Sequence, residues 1–560
     1  MIIEQKNRIL PSFMMTYKQP KLILVGVILS IFAHGQTLST QKQGNKETLS
    51  ENINQAQKWW NLLHYKIDIT PDYKKKYIAG TNSITFSALQ SDTIIQIELQ
   101  DPMRINNVNW KGKSLIFKRS KAGSYAIVFP TVIKAGDRQT ISIDFEGEPK
   151  ESLKPPYDNG WIWAKDVKGR PFISVACEGS GASIWLPCKE VLYDKPDNGV
   201  SFSITVADSL VAVSNGRLTK RSTNKQQTTT FTWQVINPIN NYNIIPYIGK
   251  YVTWQENFAG SKGKLDCYYW VLDYNLAKAK KHFKQVDSLL KAFEYWAGAY
   301  PFYEDSYKLV DAPMDGMEHQ SALAYGNGFT NGLHGKDLIS GSGWGLKFDF
   351  IIVHESGHEW FGNSVTAIDG THSWIHEGFA KYLETLYTSY IFGVEAGNDY
   401  ALGTWKRIKN DEPIFGTTTT DQYYKGSAML HMIRQITGDD LFKKVLTGLS
   451  KEFYHQSVST DQILNFFNNY TRKDFTKIFD QYLKTIQIPR LSYSFKDSIF
   501  QYRWENCIED FSMPVRITFD GKNYQFIFPS TRWQTFKVSM NSPKDFRVDR
   551  NFYITVSNNN

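Results

Sequence analysis

The feature that most constrains this chain is a change of hydrophobic period, made twice. From about residue 56 the sequence alternates apolar and polar residues in short runs, YKIDIT, NSITFSAL, TIIQIEL, YAIVF and QTISIDFEG, separated by turn formers such as Pro-Asp and Ala-Gly. Successive side chains of a strand point to opposite faces, so a period of two marks strands with one buried face. Near 247–251 the alternation gives way to a helical pattern. In LAKAKKHFKQVDSLLKAFEYWAG, the residues Phe283, Val286, Leu289, Leu290, Phe293 and Trp296 recur three and four apart, which makes one apolar stripe along a helix. Further helices are expected over 346–366, 374–390, 424–437, 440–451 and 460–467. From Pro489 onward alternation returns in LSYSF, PVRITF, YQFIF and FKVSM. The expectation is a multidomain α+β chain: an N-terminal antiparallel β-domain over 56–255, a mostly helical domain over 256–488 and a short C-terminal β-sandwich over 489–560. At 560 residues, 41% of them hydrophobic, the chain is long enough for about two to four buried cores.

The N-terminal segment obeys other rules. Residues 22–33, LILVGVILSIFA, are apolar, preceded by Lys18 and Lys21 and followed by Ala33, His34 and Gly35. That is the three-part pattern of a signal peptide over 1–35, with a polar linker over 36–55 behind it. Twelve apolar residues are too few to cross about 30 Å of hydrocarbon, so no lasting membrane insertion is expected and the mature chain is read as exported, periplasmic or secreted. The net charge of +9 includes Lys6, Arg8, Lys18 and Lys21 against Glu4; without them it is +6, with no basic block dense enough for nucleic acid. The four cysteines, Cys177, Cys188, Cys267 and Cys507, lack C-x-x-C spacing, which argues against a cysteine metal site. An exported chain permits a bridge, and Cys177 with Cys188 is the nearest pair.

The helical region holds FDFIIVHESGHEWFGNSVTA. Residues four apart share one helix face, so His354 and His358 can offer imidazole nitrogens to one ion, with Glu355 placed beside it to take a proton from water. A catalytic zinc needs a third protein ligand, and Glu377 in SWIHEGFAKYLETLY, nineteen residues beyond His358, completes a His₂Glu set. Glu384, seven residues later on the same face, reads two ways: an acceptor that orients a ligand imidazole, or an ordinary solvated glutamate. His376 and His372 are left out of the ligand set.

The segment VHESGHEWFGNSVTAIDGTHSWIHEGFAKYLE is similar to the zinc-binding core of the aminopeptidase N family, gluzincins that also include leukotriene hydrolase, down to Trp360, Gly362, Gly378 and Ala380. The resemblance implies a thermolysin-like catalytic domain, one zinc per chain and peptide substrates with a free N-terminus. Three other segments extend it. MDGMEHQSALAYGNG resembles the family's Gly-Ala-Met-Glu-Asn run, which implies that Gly316 and Met317 bind substrate and that Glu318 holds its α-amino group. His319 stands where the family has Asn, which bears on the shape and pH response of the first subsite. CEGSGASIWLPCKE resembles the run that ends in Pro-Cys, and by that spacing Glu178 shares the substrate ammonium with Glu318. DQYYKGSAMLHMI resembles the Tyr-x-Lys-Gly-Ala segment and implies that Tyr423, not Tyr424, donates to the oxyanion. The expected activity is a zinc aminopeptidase, a hydrolase with Glu355 as general base. Two other readings stay open: a zinc endopeptidase on the same scaffold, and a silent peptide-binding protein with a structural metal. The stretch beyond 489 is expected to hold a small β-domain, without room for the large helical domain with which many family members continue.

Overall fold

The computed structural model describes residues 55–120, 123–538 and 545–559. The signal peptide expected over 1–35 and the linker expected over 36–55, apart from Gln55, lie outside the described residues.

The alternating region forms an eight-stranded sheet with Trp60–Asp72 near its middle, paired antiparallel to Tyr77–Ala88 and parallel to Val200–Ala207. This single parallel pairing departs from the wholly antiparallel domain expected. More than a hundred residues separate the two strands, so no hairpin dictates their direction. A three-stranded sheet (Asp92–Glu98, Ser124–Ile133, Ile116–Arg119) and a four-stranded one (Val211–Val213, Tyr247–Gly249, Pro171–Ala176, Gly160–Lys165) complete the region. Tyr65, Ile67, Phe86, Ile143, Trp185, Phe202 and Trp233 fill the core, and the period-two expectation appears directly as alternating burial along Val200–Ala207.

The boundary expected at 255 falls inside a strand. Tyr251–Gly260 and Gly263–Leu272 form a hairpin that belongs to a second sheet, completed by Tyr307–Asp311, Leu323–Tyr325 and, at its edge, Gly316–Met317. One face of this sheet joins the β-domain's core through Val310, Met314, Met317 and Ala324, while Leu265, Tyr269, Leu309 and Leu323 pack into the helical core. The sheet is thus the seam between the two cores, and its edge strand sits at that seam.

The helices Val394–Trp405 and Thr476–Lys484 go beyond those expected, and two of the expected ones differ in extent. The stripe from Phe283 to Trp296 is buried throughout, but the helix is broken into Leu276–His282 and Gln285–Ala297. The Gln285 side chain donates to the carbonyl of His282 at 3.0 Å and satisfies the end of the first piece. The helix expected over 346–366 runs only from Phe350 to Gly357, started by Asp349, whose carboxylate accepts from the amide of Ile352 at 3.2 Å. Beyond it the chain curls back, with the amide of Asn363 donating to the carbonyl of His358 at 2.9 Å. Trp374–Phe392, Asp421–Thr437, Asp439–Glu452 and Thr460–Thr471 are the remaining expected helices. In the C-terminal region, sheets of four and three strands enclose Phe500, Trp504, Val515 and Ile517, in a core continuous with the helical one. Residues 539 and 540 of the expected FKVSM strand lie outside the described residues.

Candidate active site

His354 lies in the last turn of Phe350–Gly357, His358 caps it, and Glu377 lies in the first turn of Trp374–Phe392. All three are buried. The Nε2 atoms of His354 and His358 are 3.3 Å apart, and Glu377 Oε2 stands 3.7 Å from the first and 3.5 Å from the second. The other ring nitrogens are engaged: His354 Nδ1 donates to Glu384 Oε1 at 2.7 Å and His358 Nδ1 to the carbonyl of Phe361 at 3.1 Å. Those bonds keep a proton on each Nδ1 and turn both Nε2 atoms toward one point, where each could give its lone pair to an ion. Glu377 Oε2 is itself buried with no hydrogen-bond partner among the described residues. Donors held about 2.0–2.1 Å from a tetrahedral zinc stand about 3.3–3.4 Å apart, so the residues present fit that ion.

The electrostatics agree. Burial lowers His354, but the Glu377 carboxylate facing it and its bond to Glu384 outweigh this and push it up to about 10, so that without an ion a proton takes the ion's place. Burial raises Glu377, yet His358 and His354 hold it at about 2. The pocket is built around a positive charge. Glu384 is fully buried, so the solvated alternative is excluded: besides His354 it accepts from Tyr400 at 2.5 Å and from Lys381 at 2.8 Å. His376 is occupied elsewhere, its Nε2 accepting from the amide of Ala367 at 2.7 Å, and His372 Nδ1 lies 2.9 Å from the Thr460 hydroxyl.

Glu355 points at the edge strand. A Cβ on Gly316 would lie 2.6 Å from Glu355 Oε1, so only glycine lets the strand pass this close. Burial pushes Glu355 up to about 8; His354 pulls it down, while Glu318, Glu377 and Glu384 raise it further. Such a carboxyl is poised to exchange a proton near neutrality. Tyr423 comes from the first turn of Asp421–Thr437, its ring stacked on that of His354 with centroids 6.0 Å apart. The two helices meet at Gly378 and Gly426, where a Cβ on Gly426 would lie 3.3 Å from the Gly378 Cα. That close crossing brings Tyr423 beside Glu377. Burial first, then Glu377, Glu178 and Glu318, raise the Tyr423 hydroxyl, which remains a protonated donor.

Glu318 follows the edge strand and is buried, with Tyr242 donating to its Oε1 at 3.0 Å and Asn363 Nδ2 to its backbone carbonyl at 2.7 Å. Glu178 reaches the same cleft from the β-domain. Glu178 is exposed, and its pKa is raised by desolvation first and then by the charges of Glu318, Glu377 and Glu355. Met317 is turned into the β-domain's core. His319 faces away from the anchor: it is fully buried, its Nδ1 2.6 Å from the Tyr247 hydroxyl, which donates in turn to the carbonyl of Ala322 at 2.7 Å. Desolvation lowers His319 to about 3, so it is neutral and gives the subsite no pH response. Cys177 and Cys188 are both buried and free; the bridge left open by the sequence is not formed.

Several residues at the site have no motif to announce them. Tyr242 and Asn363 lie far from each other in sequence and meet Glu318 only through the fold. Tyr157, 55% exposed, stands on a loop pinned by Asp158, which accepts from the amides of Leu153 and Lys154 at 2.7 and 2.9 Å. Two residues on, Asn159 accepts from the amide of Gly179 at 3.0 Å, which ties this loop to the Glu178 turn. Desolvation, then Asp315 and Glu355, push the Tyr157 hydroxyl up to about 12. The Pro-Pro-Tyr run is the one available signal, and it does not say which surface it faces.

Comparison with known proteins bears on this arrangement. Residues 61–242 match the peptidase M1 N-terminal domain and residues 284–482 the peptidase family M1 domain. Leukotriene A-4 hydrolase of Xenopus laevis is 24% identical over 459 residues, 75% of this chain and 70% of that protein. Endoplasmic reticulum aminopeptidase 2 of Homo sapiens is 28% identical over 135 residues, 21% of this chain and 14% of that one. Among solved structures, a mutant M1 zinc metallopeptidase of Deinococcus radiodurans bound to a Tyr-Ser-Ala substrate superposes with a TM-score of 0.64 at 19% identity, covering 76% of this chain and 94% of that chain. A two-domain M1 zinc metallopeptidase mutant bound to L-tryptophan gives 0.62 at 20% identity, over 74% and 91% of the two chains. At these identities the structural likenesses establish the fold.

Proposed function

The chain belongs to peptidase family M1, the zinc metallopeptidases, and we propose that it is an aminopeptidase, releasing one residue at a time from the free amino terminus of peptides. The observation that carries this reading is the pair Glu318 and Glu178 beside the triad. Among the described residues neither carboxylate has a Lys, Arg or His partner, and the Coulomb coupling between them raises Glu178. Two neighbouring carboxylates in a cleft favour a cation between them, and an α-ammonium group supplies it.

Zinc held by His354, His358 and Glu377 supplies, when bound, the Lewis acidity that brings the pKa of water toward about 7. Glu355 accepts the proton of the attacking water and returns it to the leaving amine. Tyr423 donates to the oxygen on which charge develops. Among the described residues the edge strand Gly316–Met317 is paired on one side only, with Leu323–Tyr325, so its other side can take the substrate backbone as an added strand. Glu318 and Glu178 hold the amino terminus and thereby select the first peptide bond. The leader pattern over 1–35 adds that the activity is exported, which cell fractionation tests.

The test compares matched aminoacyl fluorogenic substrates with free and N-acetylated termini, with and without a chelator. Loss of charged hydrogen bonds of about 3 kcal/mol makes the free amine better by on the order of 100-fold in kcat/KM. Equal cleavage of both would overturn the reading in favour of a zinc endopeptidase. His319, buried against Tyr247, gives no support to the endopeptidase, and the blocked-substrate comparison decides between the two.

A further inference from the structure

The turn that follows the metal-binding helix is densely hydrogen-bonded in the interior. Asn363 is fully buried, and its polar groups are engaged on every side. Its amide donates to the carbonyl of His358 at 2.9 Å, and its Nδ2 donates to the carbonyl of Glu318 at 2.7 Å and to Glu359 Oε1 at 3.0 Å. Its Oδ1 accepts from Asn243 Nδ2 at 2.6 Å and its carbonyl from Lys195 Nζ at 2.9 Å. One residue therefore links two backbones: its amide holds the carbonyl of the metal-ligand residue His358, and its side chain holds the carbonyl of Glu318, which carries the ammonium anchor.

Glu359 braces the same link from behind. It is fully buried and accepts from the Tyr300 hydroxyl at 2.5 Å and from the amide of Ser321 at 3.0 Å, so it holds the Ser321 end of the segment from Glu318 to Ser321 directly and the Glu318 end through Asn363. The β-domain contributes through one short turn, Asn241–Asn243: Tyr242 reaches the Glu318 carboxylate while Asn243 reaches Asn363. The side-chain polar atoms of Asn363 and Glu359 are all bonded, while Asn243 Oδ1 in the supporting turn has no partner among the described residues. The bonded part is rigid, because each bond lost there strands a polar group in a low dielectric. None of Asn363, Glu359, Asn243 or Lys195 is needed to bind the metal or to move a proton.

We propose that Asn363, braced by Glu359, is a positioning residue that fixes the distance between the metal triad and the Glu318 anchor, and so makes metal binding and amine binding by one ligand mutually reinforcing. The proposal rests on the aminopeptidase reading given above. It is specific to geometry: weakening the link should leave each half-site competent and uncouple them.

The experiment uses two inhibitors of the intact zinc enzyme, leucine hydroxamate and its des-amino analogue, 4-methylpentanohydroxamate. The metal-binding group is common to both, so the ratio of their inhibition constants reports the coupled amine contact alone. In Asn363→Ala and Glu359→Ala that ratio is expected to fall by about tenfold, while the constant for the des-amino compound stays within about threefold of wild type. Glu359→Gln is expected to behave as wild type, because its carbonyl still accepts from Ser321 and Asn363 while its amide donates to the Tyr300 oxygen. The Tyr300 proton then turns to the carbonyl of Ser306, already 3.1 Å away. Zinc content and thermal unfolding are measured for each variant. Should Asn363→Ala fail to fold, the Glu359 pair decides. Folded, zinc-loaded alanine variants that keep the wild-type ratio would overturn the proposal, as would a Glu359→Gln enzyme as impaired as Glu359→Ala. A wild-type enzyme indifferent to the amine would instead overturn the aminopeptidase reading, and the proposal with it.

Discussion

Replacing Gly316 by alanine tests the seating of the general base. The added Cβ would lie 2.6 Å from Glu355 Oε1 and 2.7 and 3.0 Å from Ile351 Cγ2 and Cδ1. Carbon contacts settle at about 3.5–4.0 Å, so relief requires a shift of roughly 0.8 Å. Ile351 is 4% exposed, and a β-branched side chain in a helix has essentially one rotamer, so it yields little. The Glu355 carboxylate, at the end of a longer side chain, moves instead. Overpacking costs about 1–3 kcal/mol of stability, which a folded protein of ordinary stability survives. A misplacement of about 1 Å in a catalytic group costs on the order of 100-fold in rate, about 3 kcal/mol in the barrier. The expected result is a folded, zinc-loaded enzyme with kcat reduced about 100-fold and KM nearly unchanged. The assay is steady-state turnover of an aminoacyl fluorogenic substrate, with zinc content and thermal unfolding measured alongside. Gly370→Ala is the control, since nothing lies within 4 Å of the Cβ it would add. A Gly316→Ala enzyme that is folded, holds zinc and keeps kcat within about threefold of wild type would refute the reasoning.

Glu384→Ala strips the acceptor from His354 Nδ1 and leaves Lys381 and Tyr400 without their partner; zinc affinity is expected to drop about 10–100-fold in competition with a chelator, and unchanged affinity would show that the buried carboxylate does not orient the imidazole. Tyr423→Phe removes one donor at the developing oxyanion and should lower kcat by about 3 kcal/mol, on the order of 100-fold, with little effect on KM. If KM rises instead and kcat holds, the hydroxyl binds substrate and does not stabilise the transition state. His319, held at about 3, is neutral throughout pH 5–8, so His319→Asn should leave both limbs of the kcat/KM profile where they are. A shifted acid limb would mean that the ring does titrate in the working enzyme.

Particular residues show how far the sequence could be read. Phe283 to Trp296 and the strands from YKIDIT onward were legible because a single amphipathic face repeats locally, and its period survives whatever packs against it. Helix length was less legible: HESGHEW reads as continuous, but the helix stops at Gly357 because the chain must turn to place Asn363 against Glu318. The break at Phe283 and the strand crossing residue 255 were hidden for a similar reason, since each is settled by partners distant in sequence.

By itself the sequence determined what depends on spacing along one element: two imidazoles a helical turn apart, a glutamate beside the first, and a third carboxylate on the next helix. It also determined the order of strand-rich and helix-rich regions, because hydrophobic period is a local property. Only the tertiary structure decided which of the two readings of Glu384 holds, that His319 is turned away from the anchor, and that Glu359 and Asn363 link the metal helix to Glu318. Those are matters of burial and of bonds that, apart from the one between Glu359 and Asn363, join residues tens of positions apart, and a buried polar group takes its meaning from the partner that the fold brings to it.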